Sequence, residues 1–341
     1  MKWLWSWMMN KTQIIYKALL EDLKSTRNAL DNQISRADKC SNGLLLIYSV
    51  TINKRNREFS IPIDHVYSKN IFPEWKGAKV SNIRIPEYGN ADQVYLCFEQ
   101  ADPRQNDIFE IIVEDLRKNL EALTDVGETL PTVLRIIKKW NDFFKRGIEP
   151  VLSELAAQGL YGELLFLKEL VDEFGTKSVY YWESENKTHD FYIKSNAVEV
   201  KTSSTQTPYR AHINSAHQLD NTGIKGKLYL RYYALRTSKN GGQTLPEIIK
   251  GLRSILSGEE IAYHYFNEKL VKIGYLDESE DYYVTHYTKV VEYSFEIKDG
   301  FPRIRVQDIP PEIFDVQYEL AVGQCLNFAI KLDELMKGVS K

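Results

Sequence analysis

Cysteine is scarce in this chain. Only Cys40, Cys97 and Cys325 occur, far apart, odd in number and without C-x-x-C spacing. That pattern excludes a disulfide framework and a cysteine zinc site, and it fits a reducing, cytoplasmic setting. Long apolar runs are missing too. The opening MKWLWSWMM is apolar for only seven residues before Asn10 and Lys11. This is too short for a secretory h-region or a membrane span, and no small-residue cleavage site follows. No other segment is long enough to span a bilayer, so no membrane partner is expected. Glycine-rich phosphate loops are absent, both the P-loop and G-x-G-x-x-G. No Ser-His-Asp arrangement emerges, and His189, His212 and His217 lack zinc spacing. A strong charge of one sign is lacking as well. Lys and Arg number 44 against 47 Asp and Glu, a net charge of −3. A globally basic nucleic-acid binder is excluded, although binding needs only a local basic surface.

What is present suits a packed globular protein of two or three domains. The chain has 341 residues, 43% hydrophobic and 27% charged, with no long polar tract. Helical and strand-like periods alternate along it, which predicts an α/β (α+β) class. Three regions and no internal repeat are expected. The first, 1–125, opens with a helix in IIYKALLEDLKS. Strands follow at 44–52 and 93–98, and a helix over 107–123 closes it, with Ile108, Ile111, Ile112, Leu116 and Leu120 on one side. Gly127 and Pro131 mark the boundary.

The middle region, 126–245, has a helix at 133–145, then Gly147 and Pro150. A second helix starts near Leu152 and ends near Gly175, a C-cap. Strands are expected at 178–182, 190–193 and 198–202, then a short helix or loop at 213–219 and a strand at 227–235. The last region, 246–341, begins with a helix after Pro246. Strands at 282–287 and 290–297 are expected to pair, with further strands in FPRIRV and VQYELAV. It carries no chemical motif and reads as a packing, dimerisation or DNA-contact region.

The chemistry concentrates in the middle region. The strand AVEVKT alternates, with Val198 and Val200 on one face and Glu199 and Lys201 on the other. Side chains two apart on a strand stand roughly 6.5 Å from each other and point the same way. A carboxylate and an ammonium thus meet one point. An isolated E-x-K is common, however, and on its own reads as a solvated strand face. Asp190 lies nine residues earlier in THDFYIKSNAVEVK, and the polar turn 194–196 predicts a hairpin that brings Asp190 beside Glu199. Two adjacent carboxylates stay ionised only with a cation between them. Oxygen-only ligation suits magnesium. A plain turn aspartate is the alternative, and the metal site is the favoured reading of Asp190.

Glu163 lies in GLYGELLFLKELVDEF, where Leu160, Leu164, Leu167, Val171 and Phe174 form an apolar stripe. At about 100° per residue it falls about 60° from the stripe's centre. A carboxylate there needs a partner: a metal, Lys201, or an unrelated cation at the helix edge. Gly162 before it leaves room for close backbone packing, or is merely tolerated. Between Lys194 and Lys239, eight basic residues face two acids, a local balance of +6. That window reads equally as a binding surface or an ordinary solvated face.

The series GLYGELLFLKEL, THDFYI and VEVKTSS resembles the PD-(D/E)xK nucleases, closest to the PD-(D/E)xK motif proteins of bacterial defence and restriction-modification loci. The motifs span 158–235. The resemblance implies a restriction-endonuclease-like core, a mixed sheet flanked by helices, with β-containing regions on both sides. The N-terminal region would then serve DNA recognition or assembly. It implies the catalytic set Glu163, Asp190, Glu199 and Lys201. Magnesium, for which manganese would substitute, is held by Asp190, Glu199 and the Val200 carbonyl, with Glu163 as a further ligand. It implies an endodeoxyribonuclease of restriction type in anti-phage defence. Arg210, Lys225, Lys227 and Gln218 become candidates for contacts to double-stranded DNA. A homodimer and a methyltransferase or ATPase partner fit the same picture. His189 stands where the motif's name has Pro. Lys201 is expected to be a cleft charge whose loss leaves folding nearly intact. Two rival readings stand beside this one: an inactive or partner-dependent nuclease-fold subunit, and a metabolic or signalling protein with an accidental E-x-K.

Overall fold

A computed structural model describes residues 9–25, 33–52, 55–64, 66, 78–88, 92–101, 106–145, 151–182, 188–204 and 206–340. The opening apolar run up to residue 8, Gly147 and Pro150 lie outside the described residues. The chain divides into two compact units. One holds residues up to Val151 with Glu278–Asp281, and the other holds Leu152–Asp277 and Tyr282–Lys341.

The first unit contains α1 (Lys11–Ser25), β1 (Gln33–Lys39), β2 (Leu45–Thr51), β3 (Arg57–Ile63), β4 (Ala78–Arg84), β5 (Val94–Gln100), α2 (Asn106–Glu121) and α3 (Thr129–Lys145). Its sheet is antiparallel in the order β1-β2-β3-β5-β4. Tyr16 of α1 joins Tyr48 of β2 and Phe109 of α2 in one aromatic cluster. Leu19, Ile112, Leu116 and Leu120 are buried. Removing such side chains from water contributes roughly 1.5–3 kcal/mol each. The expected boundary at 125 is instead a 3-10 turn, Val126–Glu128, whose Gly127 amide donates to the Asp125 side chain. It runs straight into α3, which packs on α2. Buried Val133, Ile136 and Trp140 tie α3 to this unit.

The second unit contains α4 (Glu154–Phe174), β6 (Phe191–Ile193), β7 (Asn196–Ser203), β8 (Arg210–Ile213), β9 (Leu228–Ser238), β10 (Gln243–Thr244), α5 (Leu245–Leu256), α6 (Glu260–Ile273), β11 (His286–Ile297), β12 (Tyr318–Ala321), β13 (Ala329–Ile330) and α7 (Leu332–Val339). The main sheet runs β10-β11-β9-β7-β6, with β13 also on β11. β7 and β9 are parallel and the other pairs antiparallel, so the sheet is mixed. β8 pairs with β12. The mixed α/β class and the helix-flanked mixed sheet expected from the sequence are present. No helix among the described residues is long and apolar enough to cross a membrane.

Five expectations differ. The strand expected at 178–182 is a 3-10 helix, Thr176–Tyr181. Gly175 at φ +85° turns the chain directly off α4, and Trp182 alone bridges to Phe191. The paired strands expected at 282–297 are one strand, β11. β9 offers a partner along its whole length, from His286 opposite Ser238 to Ile297 opposite Leu228, with a bulge between Lys289 and Val291. That pairing places the chain's last region in the same sheet as β7, so no boundary falls at 245. FPRIRV is not a strand, because Arg303 donates to the Leu219 carbonyl and to Asn221, and Arg305 binds Asp308. Phe174, placed on the helix stripe by periodicity, is 37% exposed at the end of α4.

Candidate active site

β7 is buried on both faces. Val198 and Val200 pack on one side, and on the other Glu199 is 1% exposed. The Lys201 side chain is 11% exposed. The solvated-strand reading of E-x-K therefore fails. The register of β6 on β7 pairs Ile193 with Asn196, Tyr192 with Ala197 and Phe191 with Val198. One step further along the same ladder sets Asp190 against Glu199. Here the strand pairing ends and the Asp190 side chain replaces it, accepting from the Val200 amide at 2.7 Å. Lys194, at φ +56°, makes the hairpin turn. Gly226 packs under that turn, where a Cβ would stand 2.8 Å from the Ser195 carbonyl.

α4 brings the fourth residue. Ser153 caps its start and Leu160, Leu164, Leu167 and Val171 bury its inner stripe. Gly162 allows close approach to β7, since a Cβ there would lie 2.1 Å from the Thr202 methyl carbon. Glu163 follows, half-buried, with Oε2 accepting from the Trp182 indole at 2.7 Å. One turn earlier, Gln158 donates to Thr202 Oγ1 at 3.2 Å.

Electrostatically this cluster is unbalanced. Lys201 Nζ lies 2.8 Å from Glu199 Oε1, while the buried Glu199 Oε2 has no hydrogen-bond partner. Burial, and then the nearby Asp190 charge, push Glu199 well above the usual carboxylate range. Burial and Asp190 raise Glu163 to about 8, against the Trp182 bond and the lysines at 201 and 269. Burial raises Asp190 despite Lys201 and the Val200 amide. Burial pulls Lys201 down, but Glu199, Asp190 and Glu163 outweigh it, so it stays protonated. Three acids thus share one close cation, and each resists ionisation.

The donor set fits a hard divalent cation. Two carboxylates and a backbone carbonyl with waters suit magnesium, and the orphaned Glu199 oxygen marks where compensation is missing. Among the described residues, no three His, Cys, Asp or Glu side chains alone form a metal cage, so water and backbone would complete the shell.

The surrounding candidates separate. Gln218 is in the 3-10 turn Ala216–Leu219 and accepts from the Asn214 amide at 2.9 Å. Arg210 and Lys225 are exposed. Lys227 stands beside Asn196, five residues along β7 from Lys201, and is paired with Glu296 at 2.9 Å. At about 3.3 Å per residue that is roughly 16 Å away, so the structure does not bring Lys227 to the cluster. Arg231, part of the basic window, is buried in ion pairs with Glu169 and Glu292. His189 is buried, which lowers its pKa to about 4, so it is neutral and offers a phosphate no charge. His217 is exposed, and His212 is exposed and paired with Glu319 at 2.7 Å.

Lys201 is the one cation paired with Glu199 among the described residues. Two residues escaped the sequence reading. Trp182 sat in an expected strand. Lys269, 6% exposed on α6, lies in a region that carried no chemical motif, yet its charge reaches Glu163.

A family model described as "Putative PD-(D/E)XK family member, (DUF4420)" matches residues 22–323. No curated protein and no solved structure matches the chain.

Proposed function

The chain belongs to the DUF4420 family of PD-(D/E)XK proteins, and from that premise we propose that it is a magnesium-dependent endodeoxyribonuclease of restriction type. One observation carries the reading: buried Glu199 and half-buried Glu163 and Asp190 act on one another and on Lys201 electrostatically, and Glu199 Oε2 is left unsatisfied. Asp190, Glu199 and the Val200 carbonyl would hold the ion, with Glu163 at its side. When bound, the ion would polarise a phosphate oxygen and acidify a water.

The chain's own groups have separate tasks. The Val200 amide fixes the Asp190 carboxylate through a charge-assisted bond. Lys201, held protonated by its three acids, points its charge at the place where negative charge develops during phosphodiester hydrolysis. Glu163 steadies the same lysine or an ion's water. The buried walls of β7 and α4 keep the local dielectric low and strengthen each interaction. Exposed Arg210 and Lys225 would position the backbone of double-stranded DNA without reading its sequence. Service in anti-phage defence, as a homodimer or beside a methyltransferase or ATPase, belongs to this same reading.

The absence of a three-residue cage among the described residues favours one alternative, a nuclease-fold subunit that binds DNA or assembles a complex without cutting. Incubating plasmid DNA, and separately RNA, with magnesium decides between them. The proposal predicts DNA cleavage that chelation and Asp190→Ala abolish. Intact plasmid with both magnesium and manganese would favour the alternative.

A further inference from the structure

Trp182 is fully buried, and among the described residues it pairs with a strand through a single bridge to Phe191. Its indole N–H is committed to Glu163 Oε2 at 2.7 Å. The ring is itself held by α6: Phe266 packs on it at 5.8 Å between centroids, and the Tyr265 hydroxyl donates to the Trp182 carbonyl at 3.5 Å. Lys269, one turn after Tyr265, stands with its ammonium 5.8 Å from the Tyr265 ring. A tryptophan here costs the fold a polar N–H that must find an acceptor. A phenylalanine would fill most of the same space without that demand. The acceptor it finds is the one carboxylate of the cluster that arrives on a helix rather than on the hairpin.

We propose that Trp182 is a positioning residue, whose indole N–H takes one oxygen of Glu163 and leaves the other as the single oxygen that meets the cation. The inference rests on the metal-site reading above. Glutamate has three side-chain torsions, and packing along α4 fixes only the first of them well. A bond to a rigid, immobile indole fixes the carboxylate itself. Partners of this kind typically change metal affinity by about 10–100-fold when removed. The C-terminal stretch, α6 in particular, thereby belongs to the site through what it does to Trp182.

Titration of the metal-free protein with manganese, followed by calorimetry, tests this without any substrate. Trp182→Phe should weaken manganese binding about tenfold, by about as much as Glu163→Ala. Trp182→Phe added to Glu163→Ala should weaken it no further, because the tryptophan acts only through the glutamate. Wild-type affinity in Trp182→Phe would overturn the proposal, and so would additive losses in the double variant. No manganese binding by the wild type would overturn the metal reading and this inference with it.

A second measurement needs no variant. The Trp182 indole N–H resonance should move when magnesium is added. The Trp140 indole, bonded to Asp115 Oδ2 at 2.8 Å, should stay in place. A stationary Trp182 resonance under magnesium that calorimetry shows to be bound would likewise refute the positioning role.

Discussion

Two buried glutamates in this protein meet a cation at the same distance to within 0.1 Å and behave in opposite ways. In the first unit, Glu114 pairs with Arg117 at 2.7 Å, their side chains 2% and 9% exposed. In the second, Glu199 pairs with Lys201 at 2.8 Å, at 1% and 11%. Burial raises the pKa of both. At Glu114 it loses to the Arg117 hydrogen bonds and the Thr12 hydroxyl, which donates at 2.6 Å, and the pKa falls. At Glu199 a single ammonium faces three acids, and the pKa rises. The first arrangement is complete and holds a helix in place. The second is short of positive charge, which on the proposed metal-site reading separates it from an ion pair that only supports the fold. Burial and pairing alone do not separate them; the count of donors around each oxygen does.

Breaking each pair sharpens that contrast. The largest effect is expected on cleavage. Lys201→Met should lower the rate of plasmid cutting by about 100- to 1000-fold, while manganese binding, read by calorimetry, is retained. Next comes stability. Glu114→Ala strands a buried arginine and should cost about 3–5 kcal/mol in denaturant unfolding. Glu199→Gln should leave the metal-free protein at least as stable as wild type, because it replaces an acid whose ionisation burial opposes with a neutral group of the same shape. Equal destabilisation by the two would erase the distinction. Gly162→Ala forces a methyl against Thr202 and should cost about 1–3 kcal/mol, with lower manganese affinity because α4 is pushed off β7.

The smallest effect is on pH. Glu163 keeps its proton to about pH 8 when folded but only to about 4.5 when unfolded. The folded state therefore binds more protons in that window, and stability of the metal-free protein falls as pH rises through it. Melting in chelator should give a lower Tm near pH 9 than near pH 6, and Glu163→Gln should flatten the slope. A rising Tm would contradict the assignment.

Much of the second unit was legible because its signals are local. Gly175 marks the end of α4, the polar turn before β7 announces the hairpin, and strict alternation puts Glu199 and Lys201 on one face. What escaped depends on distant partners. Whether 290–297 paired with its neighbour or with β9 is set across more than fifty residues of chain. The α3 helix reads as the start of the middle region, yet buries Trp140 in the first unit. Trp182 and Lys269 carry no motif, since their place at Glu163 comes only from how α6 packs. The basic window misleads for a related reason. Composition counts Arg231 as surface charge, whereas folding buries it against Glu169 and Glu292, and exposed Lys227 is paired with Glu296.

The central claim is that a divalent cation binds among Asp190, Glu199 and Glu163 and displaces protons, that of Glu163 foremost, from acids whose ionisation burial opposes. Calorimetric titration of manganese into the chelator-treated protein at about pH 7, repeated in buffers of different ionisation heat, counts those protons directly. Saturable binding with net proton release, lost in Asp190→Ala and unchanged in Glu121→Gln, is the predicted result. Binding that releases no protons, or that survives Asp190→Ala undiminished, would contradict it.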